Sequence, residues 1–344
     1  MVVAHKLDLG RGWFWESGAD TDVVILSRIR LGRSFDGTVF TDSLSFEERA
    51  ALASEIRRFL HDHPVVFGRF RLNQNTSEPA ALLRERFLLE ARSTDCPEIY
   101  VRDDQHCVVV PFEDDHLALW GFRSGLGLRD CHQDIAAFAA EFDDQLPFAV
   151  SLRWGYLSPD PGVAGAVLRA SVLLHLPALI ESGDPEGAIA EVAGAGLVRV
   201  ENFRSGRTAS LAAVVQLTGT PTFGADESRI LVQLEEAVER LVHYEREARH
   251  ELLRNRGEET ADMVRRALGL LRHTTAVRAD EAMELLSWIR LGVALEITDE
   301  LTMEEATALL FVSQRSHVMR EARVNEDENG LRALLLKQQL TSGG

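Results

Sequence analysis

The chain has 344 residues, of which 45% are hydrophobic and 26% are charged, and its formal net charge is −17. This length is enough for about two domains, and the composition is that of an ordinary globular protein. The negative charge argues against a general role in binding nucleic acid, although it leaves room for a local basic pocket. No apolar run reaches about 18 residues, so we expect no membrane span, and residues 1–11 have no apolar signal core.

The cysteines give a second indication of where the protein works. Cys96, Cys107 and Cys131 are odd in number and lack the spacing of a metal site. Cysteines of this kind are typical of reduced thiols in the cytosol. We therefore expect a cytoplasmic protein without a metal held by its own side chains.

Residues 1–225 mix strand and helix patterns. Ser45 and Glu48 form a capping box that predicts a helix after Ser45. Alternating apolar residues predict a hairpin with strands at 98–102 and 106–112. Further patterns predict a strand at 23–33, helices at 80–92, 130–145 and 184–196, and broken strands over 197–224.

The last third of the chain is helical in pattern. Asp226 caps a long amphipathic helix that we expect to run to about Arg254. Residues 255–257, Asn-Arg-Gly, are the best candidate for a domain boundary, which divides the chain into domains at 1–255 and 256–340. Thr302 and Glu305 form a second capping box, with a helix through about Val318.

Three arginines in apolar surroundings stand out as candidates for an anion site. Arg28 and Arg30 are two residues apart, so they share one face if the segment is extended. Arg169 lies in an apolar run that follows a Pro/Gly-rich turn at 159–165. A buried charge of this kind is costly unless it pairs with a carboxylate or binds an anion. The plainer interpretation is a solvated edge for Arg28 and Arg30, and a salt bridge for Arg169.

An acidic run, Glu113-Asp114-Asp115, ends the second strand of the expected hairpin. Such a run is usually a solvated loop. A carboxylate at a site of chemistry can also hold a guanidinium in a fixed orientation and take a proton from it. The sequence leaves both interpretations open.

Several segments match known motifs: residues 27–30 (Ser-Arg-Ile-Arg), 113–117 (Glu-Asp-Asp-His-Leu), 155–157 (Gly-Tyr-Leu), 169–177 (Arg-Ala-Ser-Val-Leu-Leu-His-Leu-Pro), 216–224 (Gln-Leu-Thr-Gly-Thr-Pro-Thr-Phe-Gly) and 285–293 (Leu-Leu-Ser-Trp-Ile-Arg-Leu-Gly-Val). Together they resemble the protein arginine kinases of the ATP:guanido phosphotransferase, or phosphagen-kinase, family. The resemblance implies an α+β fold, in which a largely antiparallel curved sheet is flanked by helices and followed by an all-helical C-terminal domain.

The resemblance also implies a reaction, the transfer of the γ-phosphoryl group of ATP, with Mg²⁺, to the guanidinium of a protein arginine. By position, Glu113 matches the catalytic glutamate. Asp160 stands where the family has a reactive cysteine, and it could still pair with the acceptor guanidinium. The residues implied to bind the nucleotide are Ser27, Arg28, Arg30, Arg169 and Ser171.

Other positions depart from the family pattern. Phe87 stands in place of a histidine expected to touch the nucleotide, and Ala118 in place of an arginine. In an ungapped match from Gln216, Gly206 stands in place of a glutamate; a two-residue shift also leaves no glutamate in register, although Glu201 lies near. In the C-terminal motif that reads phosphoarginine, Arg332 matches the second arginine, whereas Glu328 reverses the charge of the first. Because a glutamate repels a phosphate dianion, this change argues against phosphoarginine sensing.

The sequence leaves three hypotheses. The chain is an arginine kinase acting on proteins, a catalytically inactive relative that regulates or scaffolds a partner, or a fold in which the arginines serve only in salt bridges. The family resemblance also implies a homodimer formed through the helical domain. The kinase hypothesis requires that Arg28, Arg30 and Arg169 face one another, and that they are not each neutralised by a neighbouring acid.

Overall fold

The computed structural model describes residues 2–4, 11–72, 78–90, 98–182, 185–193, 198–202, 213–219, 226–320 and 327–342. Its strands are β1 (Val2–Ala4), β2 (Val24–Arg33), β3 (Phe67–Arg71), β4 (Glu98–Arg102), β5 (Cys107–Pro111), β6 (Leu117–Ser124), β7 (Val150–Ser151), β8 (Gly155–Tyr156), β9 (Leu168–His175), β10 (Val198–Asn202) and β11 (Val214–Gly219). Its helices are α1 (Phe46–Asp62), α2 (Glu78–Glu85), α3 (Leu128–Asp143), α4 (Pro177–Glu181), α5 (Pro185–Ala193), α6 (Glu227–His273), α7 (Ala279–Ala294), α8 (Met303–Val312), α9 (Arg315–Val318) and α10 (Glu328–Ser342).

Within these ranges, nine strands form one sheet in the order β1-β3-β4-β5-β6-β2-β9-β11-β10. All neighbouring strands are antiparallel except β1 and β3, which are parallel. Strands β7 and β8 form a separate small hairpin. The predicted α+β class with a largely antiparallel sheet and a helical C-terminal region is confirmed.

Strand β2 lies inside the sheet, paired with β6 on one side and with β9 on the other. All ten of its residues are buried. Side chains alternate along a strand, so Ile29 and Leu31 join the core on one face, while Arg28 and Arg30 project from the other. The strand therefore places two guanidinium groups on one face of the sheet.

The sheet separates two apolar cores. The first packs α1, α3 and the first half of α6 against one face, and it includes Phe59 and Phe142. The second packs the other face against Trp13 and the C-terminal helices α7, α8 and α10, and it includes Trp120 and Leu309. The face that carries the β2 arginines is thus the face that also meets the C-terminal helices.

Both predicted capping boxes are present, at the start of α1 and of α8. The long helix is interrupted close to its predicted end near Arg254. Arg256 has a non-helical backbone, with φ −140° and ψ 33°, and a second helical stretch follows at once to His273, so α6 consists of two helices joined across a kink. The helix predicted to run through Val318 instead ends at Val312, and a short turn separates it from α9. Helix α2 ends at Glu85, earlier than the predicted residue 92.

The C-terminal helices are fixed to the sheet through Arg290 of α7. Its buried guanidinium donates to the carbonyl oxygens of Thr21 and Asp22, at 2.5 and 3.1 Å, and to Nδ1 of His175 at 2.7 Å. Burial, assisted by the nearby charge of Arg249, lowers the pKa of Arg290 to about 9. This contact joins α7 to the start of β2 and the end of β9, which are the two strands that carry the candidate arginines.

Cys107 and Cys131 are free and buried, and burial raises the pKa of each thiol to about 12. Cys96 lies outside the described residues. Among the helices of the described ranges, none combines the length and the apolar character needed to cross a bilayer.

Candidate active site at the arginine cluster

The pairing of three strands brings the candidate arginines together. Arg30 on β2 lies directly opposite Arg169 on β9 and opposite Trp120 on β6. Arg28 lies opposite Ser171 of β9. Because directly opposed residues of an antiparallel sheet point to the same side, these side chains form one cluster.

Trp120 provides the floor of this arginine cluster. The guanidinium carbons of Arg28, Arg169 and Arg30 lie 4.8, 5.4 and 5.9 Å from the centre of its ring. Each distance is within the range at which a cation is attracted to an aromatic face. In addition, Nε of Arg28 donates to Oγ of Ser171 at 3.1 Å. Contacts with Trp120 and Ser171 therefore help to keep three positively charged side chains close to one another.

Glu90 closes the outer side of the cluster. Its Oε1 accepts from Nη2 of Arg28 at 3.0 Å, and its Oε2 accepts from Nη2 of Arg169 at 2.8 Å. The carboxylate therefore bridges arginines of two neighbouring strands. Glu90 follows α2 by five residues, and no part of the sequence analysis pointed to it.

The acidic run surrounds the third arginine. Nε of Arg30 donates to Glu113 at 2.8 Å, and its two terminal nitrogens reach Asp114 and Asp115 at 3.3–3.4 Å. Burial disfavours the charge of Arg30, but Glu113 and Asp115 more than offset this effect, so the pKa of the guanidinium is raised. Burial raises the pKa of Asp115, whose Oδ1 also accepts from Ser158 at 2.8 Å.

One of the two conditions set by the sequence analysis is met, and the other is not. Arg28, Arg30 and Arg169 do face a common point over Trp120. Each of them, however, already has a carboxylate partner. The expected pocket of free positive charge is therefore a cluster in which Arg28, Arg30 and Arg169 are each paired with a carboxylate.

Glu113 and Asp160, the predicted catalytic carboxylates, have different surroundings. Glu113 is buried against Arg30. Asp160 is exposed, and its Oδ1 accepts from the backbone N–H of Gly162 at 2.8 Å within a local turn. The loop that carries Asp160 still borders the site, because Ser158, two residues earlier, is bonded to Asp115.

Ser27 does not join the cluster. Its hydroxyl donates to the carbonyl of Gly125 at 2.7 Å and accepts from the N–H of Gly127 at 3.0 Å. It lies between Leu26 and Arg28 on a strand, so its side chain points to the opposite face from that of Arg28. The contacts of Ser27 fasten β2 to the turn before α3, which is a structural role.

The positions that depart from the family pattern also have defined places. Phe87 has a left-handed backbone with φ 61° and packs against Phe311 of α8, at 6.1 Å between ring centres. Ala118 is fully buried, opposite Gly32 of β2. Gly206 lies outside the described residues. Neither Phe87 nor Ala118 can supply a charge to the cluster.

Asp114 and Asp115, which follow the predicted Glu113, are carboxylates of the acidic run that were not predicted as site residues. The side chain of Asp114 is 76% exposed, whereas those of Glu113 and Asp115 are buried. Asp114 is therefore the carboxylate of this run that solvent reaches. In the described ranges, no three His, Cys, Asp or Glu side chains are grouped so as to hold a metal ion.

Arg332 in the C-terminal region is fully buried and fully engaged. It donates to the carbonyls of Ser313 and Val277, at 2.8 and 3.0 Å, and it pairs with Glu328. Glu328 also pairs with Arg315 of α9. The glutamate that departs from the phosphoarginine motif thus bridges two arginines, as Glu90 does in the arginine cluster.

Comparison with known proteins assigns this architecture to a class. Residues 55–248 match the model of the ATP:guanido phosphotransferase C-terminal catalytic domain, which is more than half of the chain. The chain belongs to the ATP:guanido phosphotransferase family. Residues 257–343 match a second model, described as the protein-arginine kinase McsB C-terminal domain.

Curated relatives make the resemblance more specific. A protein-arginine kinase of Clostridium acetobutylicum is 26% identical over 339 residues, which are 96% of this chain and 99% of the relative. A protein-arginine kinase of Moorella thermoacetica is 31% identical over 307 residues, which are 85% of each chain. The similarity therefore spans both the sheet and the C-terminal helices.

Solved structures agree at the level of the fold. A lombricine kinase gives a TM-score of 0.57 at 19% identity, and the match covers 71% of this chain and 71% of that chain. The duplicated taurocyamine kinase of Schistosoma mansoni gives a TM-score of 0.56 at 21% identity over 76% of this chain and 40% of that chain. The architecture is that of the phosphagen kinases.

Proposed function

We propose that the protein is a protein-arginine kinase, which transfers the γ-phosphoryl group of ATP to arginine side chains of protein substrates. The observation that carries this proposal is the match along nearly the whole chain to relatives named as protein-arginine kinases, including the separate C-terminal domain model. A similarity confined to the catalytic fold would support phosphoryl transfer, but it would not indicate that the substrate is a protein.

The arginine cluster suits the phosphates of ATP in its chemistry. Guanidinium groups match phosphate oxygens bidentately, and phosphoryl transfer depends mainly on positioning and on charge stabilisation. We assign this role to Arg28, Arg30 and Arg169, with Ser171 orienting Arg28. Mg²⁺ would accompany the nucleotide, held by phosphate oxygens and water, and would offset part of the phosphate charge.

Carboxylates would bind the acceptor guanidinium and take a proton from it. A guanidinium is a poor nucleophile until a proton leaves it. The site therefore needs a carboxylate beside the phosphates that can accept this proton. Glu113 and the exposed Asp114 lie at the rim next to Arg30, and Asp160 lies on the neighbouring loop. In the transfer, a new N–P bond forms, the bond from the γ-phosphorus to the ADP oxygen breaks, and the guanidinium proton passes to a carboxylate.

The comparisons do not favour the inactive alternative, because the relatives described above are named as kinases. The pairing of all three arginines with acids breaks the second condition stated for a kinase, and it would suit a regulatory or scaffold protein. In a working kinase these pairs must open or be shared when ATP binds. The assay below separates the two functions.

We also propose the remaining features of the organisation. The division between the domains falls at residues 255–256, which is supported by the kink at Arg256 and by a domain match that begins at residue 257. A cytoplasmic location is supported by the buried free thiols of Cys107 and Cys131. A homodimer follows from the family resemblance, and a sedimentation measurement of the mass would test it.

The test is a phosphorylation assay with purified protein, Mg-ATP and an unfolded, arginine-rich substrate. We expect acid-labile phosphate on the substrate, which is lost in Arg169→Ala but kept in Arg57→Ala, since Arg57 pairs with Glu98 away from the cluster. Thermal stabilisation by nucleotide without labelling would replace the kinase with a nucleotide-binding regulator. Absence of both signals would overturn the proposal.

A further inference from the structure

We propose that Glu90 is an internal competitor of the nucleotide. Its carboxylate occupies the position between Arg28 and Arg169 that a phosphate group of ATP would take, and ATP binds when this carboxylate is displaced. The proposal rests on the proposed function only for the identity of the ligand as ATP. The competition itself concerns any phosphate-like anion.

The geometry of Glu90 resembles that of a bound anion. Its two oxygens accept separately from Arg28 and from Arg169, at 3.0 and 2.8 Å. A phosphate group bound between two arginines makes the same kind of contact, with one oxygen to each guanidinium. The ring of Trp120 lies beneath both guanidinium groups. A phosphate and Glu90 therefore need the same donors, and both cannot use them fully.

The chain before Glu90 is anchored, so the carboxylate is placed rather than loosely attached. Glu85 accepts from the N–H and the hydroxyl of Ser316 in α9, at 2.9 and 2.8 Å. Nε of Arg86 donates to Nε2 of His317 at 3.0 Å. Leu88 and Leu89 are buried. These contacts fix the backbone a few residues ahead of Glu90, while its side chain spans the remaining distance to the arginines.

The bridge is also accessible enough to open. The side chains of Glu90 and Arg169 are 19% and 30% exposed, so water can replace each partner when they separate. Glu98 makes the same type of bridge, between Arg57 and Arg69, but it also accepts from Tyr100, at 2.6 Å. The Glu98 bridge lies on β4, outside the arginine cluster, which makes it a matched control.

Competition of this kind predicts a gain of affinity when the carboxylate is neutralised. If the bridge is closed in about nine tenths of the molecules, the apparent affinity for an anion is reduced about tenfold. Glu90→Gln keeps the shape of the side chain and removes its charge. Its affinity for phosphate-containing ligands should rise about tenfold or more over the unsubstituted protein.

The experiment is isothermal titration of the full chain with tripolyphosphate and, separately, with Mg-ATP. The proteins compared are the unsubstituted chain, Glu90→Gln, Glu98→Gln, and Glu90→Gln combined with Arg169→Ala. We expect tighter binding in Glu90→Gln alone, an unchanged affinity in Glu98→Gln, and loss of the gain in the double variant. Glu90→Asp, too short to span both arginines, should show a smaller gain and serves if Glu90→Gln does not fold.

The outcomes also separate this inference from the proposed function. An equal or weaker affinity in Glu90→Gln, or an equal gain in Glu98→Gln, overturns the competition even if the unsubstituted protein phosphorylates arginine. A gain with tripolyphosphate but no phosphorylation of any substrate supports the competition and removes the kinase. No anion binding by any of the proteins overturns the competition as well.

Discussion

Two glutamates in this molecule each bridge two arginines, and their surroundings differ. Glu90 joins Arg28 to Arg169 on the sheet. Glu328 joins Arg315 to Arg332 in the C-terminal helices. The first bridge rests on an aromatic ring and borders solvent on one side. In the second, the side chain of Arg315 is 72% exposed, whereas Arg332 has no exposed surface and donates to two backbone carbonyls and to Asn329.

The difference shows how one arrangement of charges can serve two purposes. A guanidinium whose donors are taken by carbonyls cannot release them to a ligand without leaving buried acceptors unpaired. A guanidinium held by one carboxylate over a tryptophan can exchange that carboxylate for another anion. We therefore interpret the Glu328 bridge as structural and the Glu90 bridge as part of a binding site.

The largest expected effect tests this interpretation through activity. Arg28→Ala should reduce the rate of arginine phosphorylation by roughly 10³-fold, because an arginine on the transferring phosphoryl group contributes on this scale. The measurement is the initial rate of acid-labile labelling at saturating Mg-ATP. Arg315→Ala, which removes an arginine from the other bridge, should change that rate less than about twofold. Similar losses in both variants would contradict the division of roles.

The next effect is on stability, where we expect the arginine of the Glu328 bridge to matter more than the arginine of the Glu90 bridge. Arg332→Ala should lower the free energy of unfolding by roughly 3 kcal/mol, because it removes the donor to the carbonyls of Ser313 and Val277 and one of the two arginines paired with Glu328. Arg169→Ala should lower it by less than about 1 kcal/mol, as expected for a partly exposed ion pair. Urea titrations of both variants provide the comparison. A greater loss in Arg169→Ala would show that the cluster, rather than the C-terminal bridge, is the structural element.

A pH effect is expected at His317, which accepts from Arg86, four residues before Glu90, and lies on α9 with Arg315 of the second bridge. Burial, opposed in part by Glu85, lowers the pKa of His317 below its ordinary value of 6.5. The unfolded chain therefore binds a proton at a higher pH than the folded chain, and the free energy of unfolding falls as the pH drops below about 6.5. One such histidine contributes at most about 1.4 kcal/mol per pH unit.

His317→Gln should make this fall less steep, measured as the free energy of unfolding between pH 7 and pH 5. His116 and His175 have lowered pKa values as well, so the variant should keep part of the slope. An unchanged slope in His317→Gln would mean that His317 is not held neutral in the folded protein.

The smallest expected effect concerns Trp120, whose ring lies beneath the arginine cluster. Trp120→Leu should weaken Mg-ATP binding about fivefold, because it removes a cation–π contact worth on the order of 1 kcal/mol. Trp120→Phe should recover part of the affinity, since it keeps an aromatic face. Titration calorimetry of both variants gives the result. Equal affinities in the leucine and phenylalanine variants would leave the ring with a packing role alone.

Much of the arginine cluster could be predicted from the sequence. The two-residue spacing of Arg28 and Arg30 within an apolar run was sufficient to place them on one face, since alternation along a strand is a local property. The convergence with Arg169 came from the family resemblance, because strand register depends on contacts between distant segments. The capping residues Ser45 and Thr302 marked helix starts correctly for the same local reason.

Glu90 and the continuation of α6 could not be predicted. Glu90 follows an irregular segment in which Phe87 has a left-handed backbone, so no periodic pattern locates its carboxylate. Its role depends on arginines about 60 and 80 positions away in sequence. Asn255 and Gly257 indicated a helix end, and Arg256 between them is indeed non-helical. The second helical stretch that follows without a loop is held by packing with distant segments, which no local pattern shows.

The kink of α6 has a mechanical consequence. In the division proposed at residues 255–256, α6 joins the two domains without an intervening loop, so a relative movement of these domains would bend the chain near Arg256. Gly257 adds backbone freedom there, while exposed ion pairs of Arg256 with Glu181 and Glu259 brace it. Because salt screens such pairs, this hinge should become more compliant as ionic strength rises.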